Sequence, residues 1–101
     1  MTITAAQKRF LRSRAHHLKP VVMVGQHGLS ENVMHEINLA LDAHELIKIK
    51  LGAGDREEKK KILGEVIVNS KTELIQSIGH VAVLFRRNNK KPKIELPGTK
   101  K

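Results

Sequence analysis

The chain has 101 residues and a formal net charge of +9, so it is long enough for one domain, and its charge favours an anionic partner. It contains no cysteine, which excludes disulfides, thiolate metal sites and cysteine nucleophiles. No apolar run is long enough to span a membrane and no signal peptide is evident, so we expect a cytoplasmic protein. We expect one domain over residues 1–97 and a flexible end at 98–101.

The first predicted element is a basic helix. Thr4 and Gln7 match a capping box, which predicts a helix over 5–17 that Pro20 ends. Apolar residues fall on one side of this helix and basic residues on another. The basic side contains Lys8, Arg9, Arg12 and His16.

The next three elements are a strand, a helix and a strand. The unbroken apolar run at 21–24 predicts a central, covered strand. A helix over 30–43 follows, with a serine as its N-cap. Strict alternation at 46–51 predicts a strand whose Lys48 and Lys50 share a side of the sheet that faces solvent.

The second half of the chain predicts a helix, a shorter helix and two strands. A capping-box pattern opens the helix over 55–68. Thr72 then caps a short helix over Leu74, Ile75 and Ile78, whose spacing is helical, and Gly79 ends it. Residues 80–87 and 93–96 predict two strands joined as a hairpin. The order α-β-α-β-α-(α)-β-β indicates an α/β fold with parallel strands early and an antiparallel edge.

No catalytic constellation is placed by any motif, so we expect no enzyme, no cofactor and no small-molecule substrate. Four carboxylates are interpreted as helix-start and solvent-facing residues: Glu31, Glu36, Asp42 and Glu45. The six histidines include no pair four residues apart, the spacing of a helical zinc site, which makes a metal site a minor alternative.

A glycine-flanked loop between the first strand and the second helix is the strongest candidate for binding. It consists of Gly25, Gln26, His27 and Gly28. Backbone N–H groups and the dipole of the following helix attract anions there. Its central positions carry no acid, and Arg14 and Lys19 are nearby in sequence. The alternative is a plain turn in which the glycines only permit the tight geometry.

The distribution of charge and aromatic residues favours phosphate recognition. Residues 1–20 hold five bases and no acid, and residues 86–101 hold seven bases and one acid. The alternative is that these basic ends are merely solvated. Two Phe and no Tyr or Trp are too few for a base-stacking platform. Structured RNA is therefore a natural target, bound in a salt-dependent way, although the residues alone do not exclude DNA.

Motifs along nearly the whole chain resemble the CRM (chloroplast RNA splicing and ribosome maturation) domain, in its stand-alone bacterial form of the YhbY type. These motifs are Leu18-Lys19-Pro20-Val21-Val22, Gly25-x-x-Gly28-Leu29-Ser30, His44-Glu45-Leu46-Ile47-Lys48-Ile49-Lys50, Ile78-Gly79-His80 and Val83-Leu84-Phe85-Arg86. The resemblance implies a two-layer α/β domain with a four-stranded mixed sheet and three to four helices. Such a domain is similar to the C-terminal domain of translation initiation factor 3, with a loop likened to that of KH domains.

The resemblance also implies RNA binding without catalysis, and a role in assembly of the large ribosomal subunit. The expected contacts with rRNA phosphates come from the loop at 25–28 and from Lys8, Arg9, Arg12, Lys19, Lys48, Lys50 and Arg86. A monomer is expected. The competing hypothesis is a protein-interaction adaptor whose basic ends dock an acidic protein.

Overall fold

Three helices and a four-stranded mixed sheet make up the part of the chain that the computed structural model describes, which is residues 3–25, 29–52, 55–88 and 90–97. The elements are α1 (Ala5–Ala15), β1 (Val22–Val24), α2 (Glu31–His44), β2 (Leu46–Leu51), α3 (Arg56–Ser70), β3 (Glu73–Ile78) and β4 (Val81–Phe85). The predicted α/β class and the mixed sheet are confirmed. Within these residues no helix combines the length and apolar character that crossing a membrane requires.

The sheet has the strand order β1-β2-β4-β3, with β1 parallel to β2 and the other two pairings antiparallel. The expectation of a central first strand is wrong, because β1 lies at an edge and pairs only with β2. The apolar run at 21–24 therefore does not reflect burial of the strand on both faces. Val22 and Val24 are buried under the helices, whereas Met23 between them is 59% exposed.

Helices cover the two faces of the sheet unequally. α2 and α3 pack on one face, over a core that includes Ile37, Leu41, Val66 and Leu84. On the other face α1 packs through Leu11 and Ala15 on a second cluster. That cluster contains Leu46, Ile75, Val83, Phe85, Ile94 and Leu96. The prediction that this face is open therefore fails where α1 lies, although Lys50 is exposed and Lys48 is half-buried.

The predicted short helix over 72–79 is wrong, since this segment is strand β3. Its apolar spacing was ambiguous: Leu74 packs on the first cluster and Ile75 on the second, as strand neighbours do. A register shift between Leu74 and Gln76 then breaks the alternation. Gly79, with φ of 56°, makes the turn into β4, so the hairpin joins β3 to β4.

The predicted strand at 93–96 is also wrong. This segment has no strand pairing, and it runs irregularly across the α1 side of the sheet. Ile94 and Leu96 are nevertheless buried in the second cluster. Ile94 and Leu96 are therefore buried as alternate side chains of a strand would be, but without a ladder of backbone hydrogen bonds.

Helix starts follow the predicted caps closely. Thr4 and Gln7 form both hydrogen bonds of the capping box at α1. Ser30 accepts a hydrogen bond from the amide of Val33, and Asp55 accepts one from the amide of Glu58. Helix ends differ by a few residues, because α1 stops at Ala15 and α3 continues to Ser70.

Gly52 marks a close approach of the chain at the ends of β1 and β2. A Cβ at this position would lie 2.9 Å from the carbonyl oxygen of Val24 and 3.2 Å from the Cα of Gly25.

We expect Gly52→Ala to lower the free energy of unfolding by about 1–3 kcal/mol, because the clash involves backbone. Gly64→Ala is the matched control. It lies in α3 with open space around it, so it should raise the free energy of unfolding by about 0.5–1 kcal/mol. Urea unfolding measures both, and equal effects would contradict the close approach.

Candidate nucleic-acid interface

The glycine loop begins where β1 ends, at the carboxyl edge of the parallel strand pair. The Gly52 amide donates a hydrogen bond to the carbonyl of Val24 at 2.6 Å, which ties this edge together. Gly25 is exposed, and a Cβ added there would meet no atom within 4 Å. Gln26, His27 and Gly28 lie outside the described residues. The described part of the loop is therefore accessible at the sheet edge where α/β folds commonly bind ligands.

Four cations from separate segments line one cavity of about 520 Å³, which we call the cationic cavity. They are Arg14 of α1, Lys19 of the α1–β1 connection, Lys48 of β2 and Lys93 of the C-terminal segment. The remaining lining residues are Leu18, Val21, Ala43, His44, Leu46, Ile47 and Ile94. No acid occurs among these lining residues, so the cavity attracts anions.

The fold holds these cations in place by ordinary local contacts. The guanidinium of Arg14 lies 5.8 Å from the ring centroid of Phe10, one helical turn earlier. Lys93 is fixed through its backbone amide, which donates to a carboxylate oxygen of Glu45 at 2.6 Å. Lys48 is placed by β2, where its carbonyl accepts from the amide of Val21 at 2.9 Å.

The positive surface continues from the cationic cavity toward the glycine loop. A second cavity of about 360 Å³ shares Leu18, Lys19 and Lys48 with the first and reaches residues of β3 and β4, namely Gln76, Ile78, Val81 and Val83. Lys50 follows two residues along β2, paired with Met23. From Val21 to Gly25 the chain spans roughly 13 Å at the rise of a strand. Lys19, Lys48, Lys50 and Gly25 therefore lie along one side of the β1–β2 pair.

The predicted cations of α1 are exposed and lie beside this surface. Lys8, Arg9 and Arg12 are all exposed. Lys8 and Arg12 occupy the same helical row as His16, which lines the second cavity. These residues extend the positive surface along α1.

Arg86 is placed differently from the other predicted site residues. Its guanidinium donates to the side chain and carbonyl of Asn38 at 2.7 and 3.2 Å, to the carbonyl of Ser70 at 2.8 Å and to Asp42 at 2.9 Å. The side chain is 23% exposed. Arg86 thus joins α2 to the end of α3, and both terminal nitrogens of its guanidinium donate hydrogen bonds within the fold. We assign it a structural role.

The most consequential residue that the sequence reading missed is Glu45, which was interpreted as solvent-facing and is fully buried. Its carboxylate accepts hydrogen bonds from the amides of Asn88, Lys93 and Ile94 at 2.5, 2.6 and 2.8 Å. Arg87 adds a longer ion-pair contact at 3.5 Å. These partners lie 42 to 49 residues away, so no local pattern reveals them.

A further cavity with cations lies near α3, and the sequence reading did not find it. Arg56, Lys59 and Lys60 line this space of about 570 Å³ together with Ser77 and Gly79. The Nζ of Lys59 lies 2.5 Å from Nδ1 of His80. Its apolar lining residues Leu51, Leu63 and Leu74 belong to the core under α2 and α3, and it shares no lining residue with the cationic cavity.

Across the described part of the chain, no three His, Asp or Glu side chains are grouped closely enough to hold a metal ion. His16 and His17 contact each other edge to face, with ring centroids 5.5 Å apart. The described side chains that line the cationic cavity are therefore mainly cations and apolar residues.

Comparisons with known proteins agree on one family. The model of the CRS1/YhbY (CRM) domain matches residues 3–86. An RNA-binding protein of Haemophilus influenzae is 47% identical over 96 residues, which cover 95% of this chain and 96% of that protein. YqeI of Bacillus subtilis, named as a probable RNA-binding protein, is 40% identical and covers 94% of this chain and 99% of its own length.

A solved structure supports the same relationship. SAV1595 of Staphylococcus aureus, a hypothetical protein with a suggested RNA-binding role, superposes with a TM-score of 0.80 at 34% sequence identity. The superposition covers 95% of this chain and all of that one. Fold, motifs and relatives agree, and the chain belongs to the CRS1/YhbY (CRM) domain family.

Proposed function

We propose that this protein is a non-catalytic RNA-binding protein that contacts phosphates through its glycine loop and the adjoining positive surface. The observation that carries the proposal is the convergence of Arg14, Lys19, Lys48 and Lys93 on one cavity whose lining contains no acid. Four chain segments contribute these cations, so a solvated terminus does not explain the arrangement. Relatives named as RNA-binding proteins support the choice of RNA as the polyanion.

The RNA is proposed to be rRNA in precursors of the large ribosomal subunit, bound by a monomer in the cytoplasm. The family resemblance suggests this target. The physical chemistry agrees with it, because folded rRNA presents phosphates densely and a surface of Lys, Arg and backbone donors reads shape more than sequence. The glycine loop is included because Gly25 is accessible at the carboxyl edge of the parallel strands.

The proposed contribution of the loop is tested by a pair of substitutions at Gly25. Neither needs extra room, since a Cβ there meets nothing within 4 Å and the φ angle of Gly25 is not positive. We expect Gly25→Asp to weaken binding of an rRNA fragment about tenfold by placing a negative charge at the phosphate site. Gly25→Ala is the matched control and should change the affinity less than twofold.

Fluorescence anisotropy at two salt concentrations measures both variants. Equal affinities of the Asp and Ala variants would mean that the loop is only a turn. Failure of the parent protein to bind RNA at low salt would contradict RNA binding altogether and favour an adaptor that docks an acidic protein.

A further inference from the structure

We propose that the cationic cavity accommodates one unpaired nucleotide of the bound RNA, with the base on an apolar floor and the phosphates on the surrounding cations. This inference rests on the proposed RNA-binding function. It adds the class of RNA element that the protein selects, namely a strand with an unpaired, turned-out nucleotide.

The floor of the cavity is apolar although its rim is charged. Leu18 and Val21 are 37% and 52% exposed, and they stand beside the buried side chains of Leu46 and Ile94. Exposed aliphatic groups of this kind gain stability when a flat, weakly hydrated surface covers them. The volume of about 520 Å³ falls within the range of pockets that hold small organic ligands.

A duplex alone would not use this arrangement. Paired bases are enclosed within an RNA helix, so the phosphates of a duplex would satisfy the cations and leave the apolar floor uncovered. An unpaired nucleotide can turn its base outward and cover the floor while its own phosphates remain beside Lys19 and Lys48. The combination of floor and rim therefore fits a nucleotide better than it fits phosphate alone.

The cavity is also preorganised. The wall formed by Lys93 and Ile94 is held by Glu45, whose carboxylate accepts hydrogen bonds from the amides of these two residues at 2.6 and 2.8 Å. Arg14, which α1 contributes to the lining, packs over Phe10. A wall that is already ordered reduces the conformational entropy lost on binding.

The test compares two RNA duplexes that are identical except for one bulged 2-aminopurine. The parent protein should bind the bulged duplex about tenfold more tightly, which corresponds to ~1.4 kcal/mol, and binding should change the emission of the 2-aminopurine. The double variant Leu18→Ser and Val21→Ser keeps every cation and removes the exposed aliphatic side chains of the floor, while the buried Leu46 and Ile94 remain. It should bind both duplexes equally, with the affinity of the parent for the perfect duplex.

The matched control replaces two exposed apolar residues elsewhere, Leu39 of α2 and Val68 of α3, by serine. This control should keep the preference for the bulged duplex. Circular dichroism monitors folding, and the single variant Val21→Ser replaces the double variant if the latter unfolds. Adenosine monophosphate at the concentration of the RNA should not compete, since cations outside the cavity hold the rest of the strand.

The outcomes separate this inference from the function on which it rests. Equal binding of both duplexes by the parent, with strong salt dependence, would overturn the nucleotide site and leave RNA binding intact. A preference that survives in the Leu18 and Val21 variant would place the bulge elsewhere and overturn the site as well. Competition by adenosine monophosphate at equal concentration would assign the cavity to a free nucleotide. Binding of neither duplex would overturn RNA binding itself.

Discussion

Glu45→Ala is expected to lower the free energy of unfolding by about 3–5 kcal/mol, because it removes the acceptor of several buried donors. Three backbone amides of residues 88–94 donate to this carboxylate, and Arg87 lies beside it. Without it these amides have no acceptor in the interior. Losing 3–5 kcal/mol removes a large share of the stability of a small domain.

The backbone conformation of Glu45 also affects the free energy of unfolding, and the variant Glu45→Gly isolates this effect. Glu45 ends α2 with φ of 63° and ψ of −43°, a conformation that side chains with a Cβ rarely adopt. Glu45→Gly loses the same hydrogen bonds as Glu45→Ala but relieves this strain. We therefore expect the Gly variant to be about 1 kcal/mol more stable than the Ala variant.

Chemical denaturation of the parent protein, Glu45→Ala and Glu45→Gly measures these differences in the free energy of unfolding, with Glu36→Ala as the control. Glu36 is an exposed acid of the same helix, so its removal should change the free energy of unfolding by less than about 0.5 kcal/mol. Similar stabilities for the Glu45 and Glu36 variants would show that the carboxylate does not anchor the C-terminal segment.

Local signals predicted the parts of the fold that local interactions determine. The caps at Thr4, Ser30 and Asp55 fix the helix starts through hydrogen bonds that span three residues, and all three are readable in the sequence. Strand β2 is readable for the same reason, since its alternation is a property of six consecutive residues. Long-range pairing is not readable in this way. Segment 93–96 is held by Glu45, which is distant in sequence. Strand β3 forms by pairing with β4, although the spacing of its apolar residues also fits a helix.

The candidate site likewise has a part that the sequence predicts and a part that depends on long-range contacts. Lys19, Lys48 and Lys50 were identified as cations from the sequence, and the structure places them along one side of the β1–β2 pair. The meeting of Lys19 and Lys48 with Lys93 was not predictable, because the irregular path of the C-terminal segment decides it. Arg86 shows the converse: its charge suggested an interface, yet its neighbours Asn38 and Asp42 engage it within the fold.

Reversing two charges in the cationic cavity is expected to have the largest effect on RNA binding. The double variant Lys19→Glu and Lys48→Glu should weaken binding of an rRNA fragment by tenfold or more at physiological salt, roughly 1.4 kcal/mol or above. The slope of log affinity against log salt should also become shallower by roughly 1–2, since fewer counterions are released on binding. Both lysines are accessible in the cavity, and neither forms an ion pair among the described residues.

The control reverses the same number of charges in the cavity near α3, through Arg56→Glu and Lys60→Glu. Both double variants lower the net charge equally, so an effect of total charge alone would weaken binding to the same extent in each. A contact at the cationic cavity predicts that only the Lys19 and Lys48 variant loses affinity and salt dependence together. A larger loss in the Arg56 and Lys60 variant would instead place the RNA on the α3 side of the sheet. The comparison thus decides between two cationic cavities that share no lining residue.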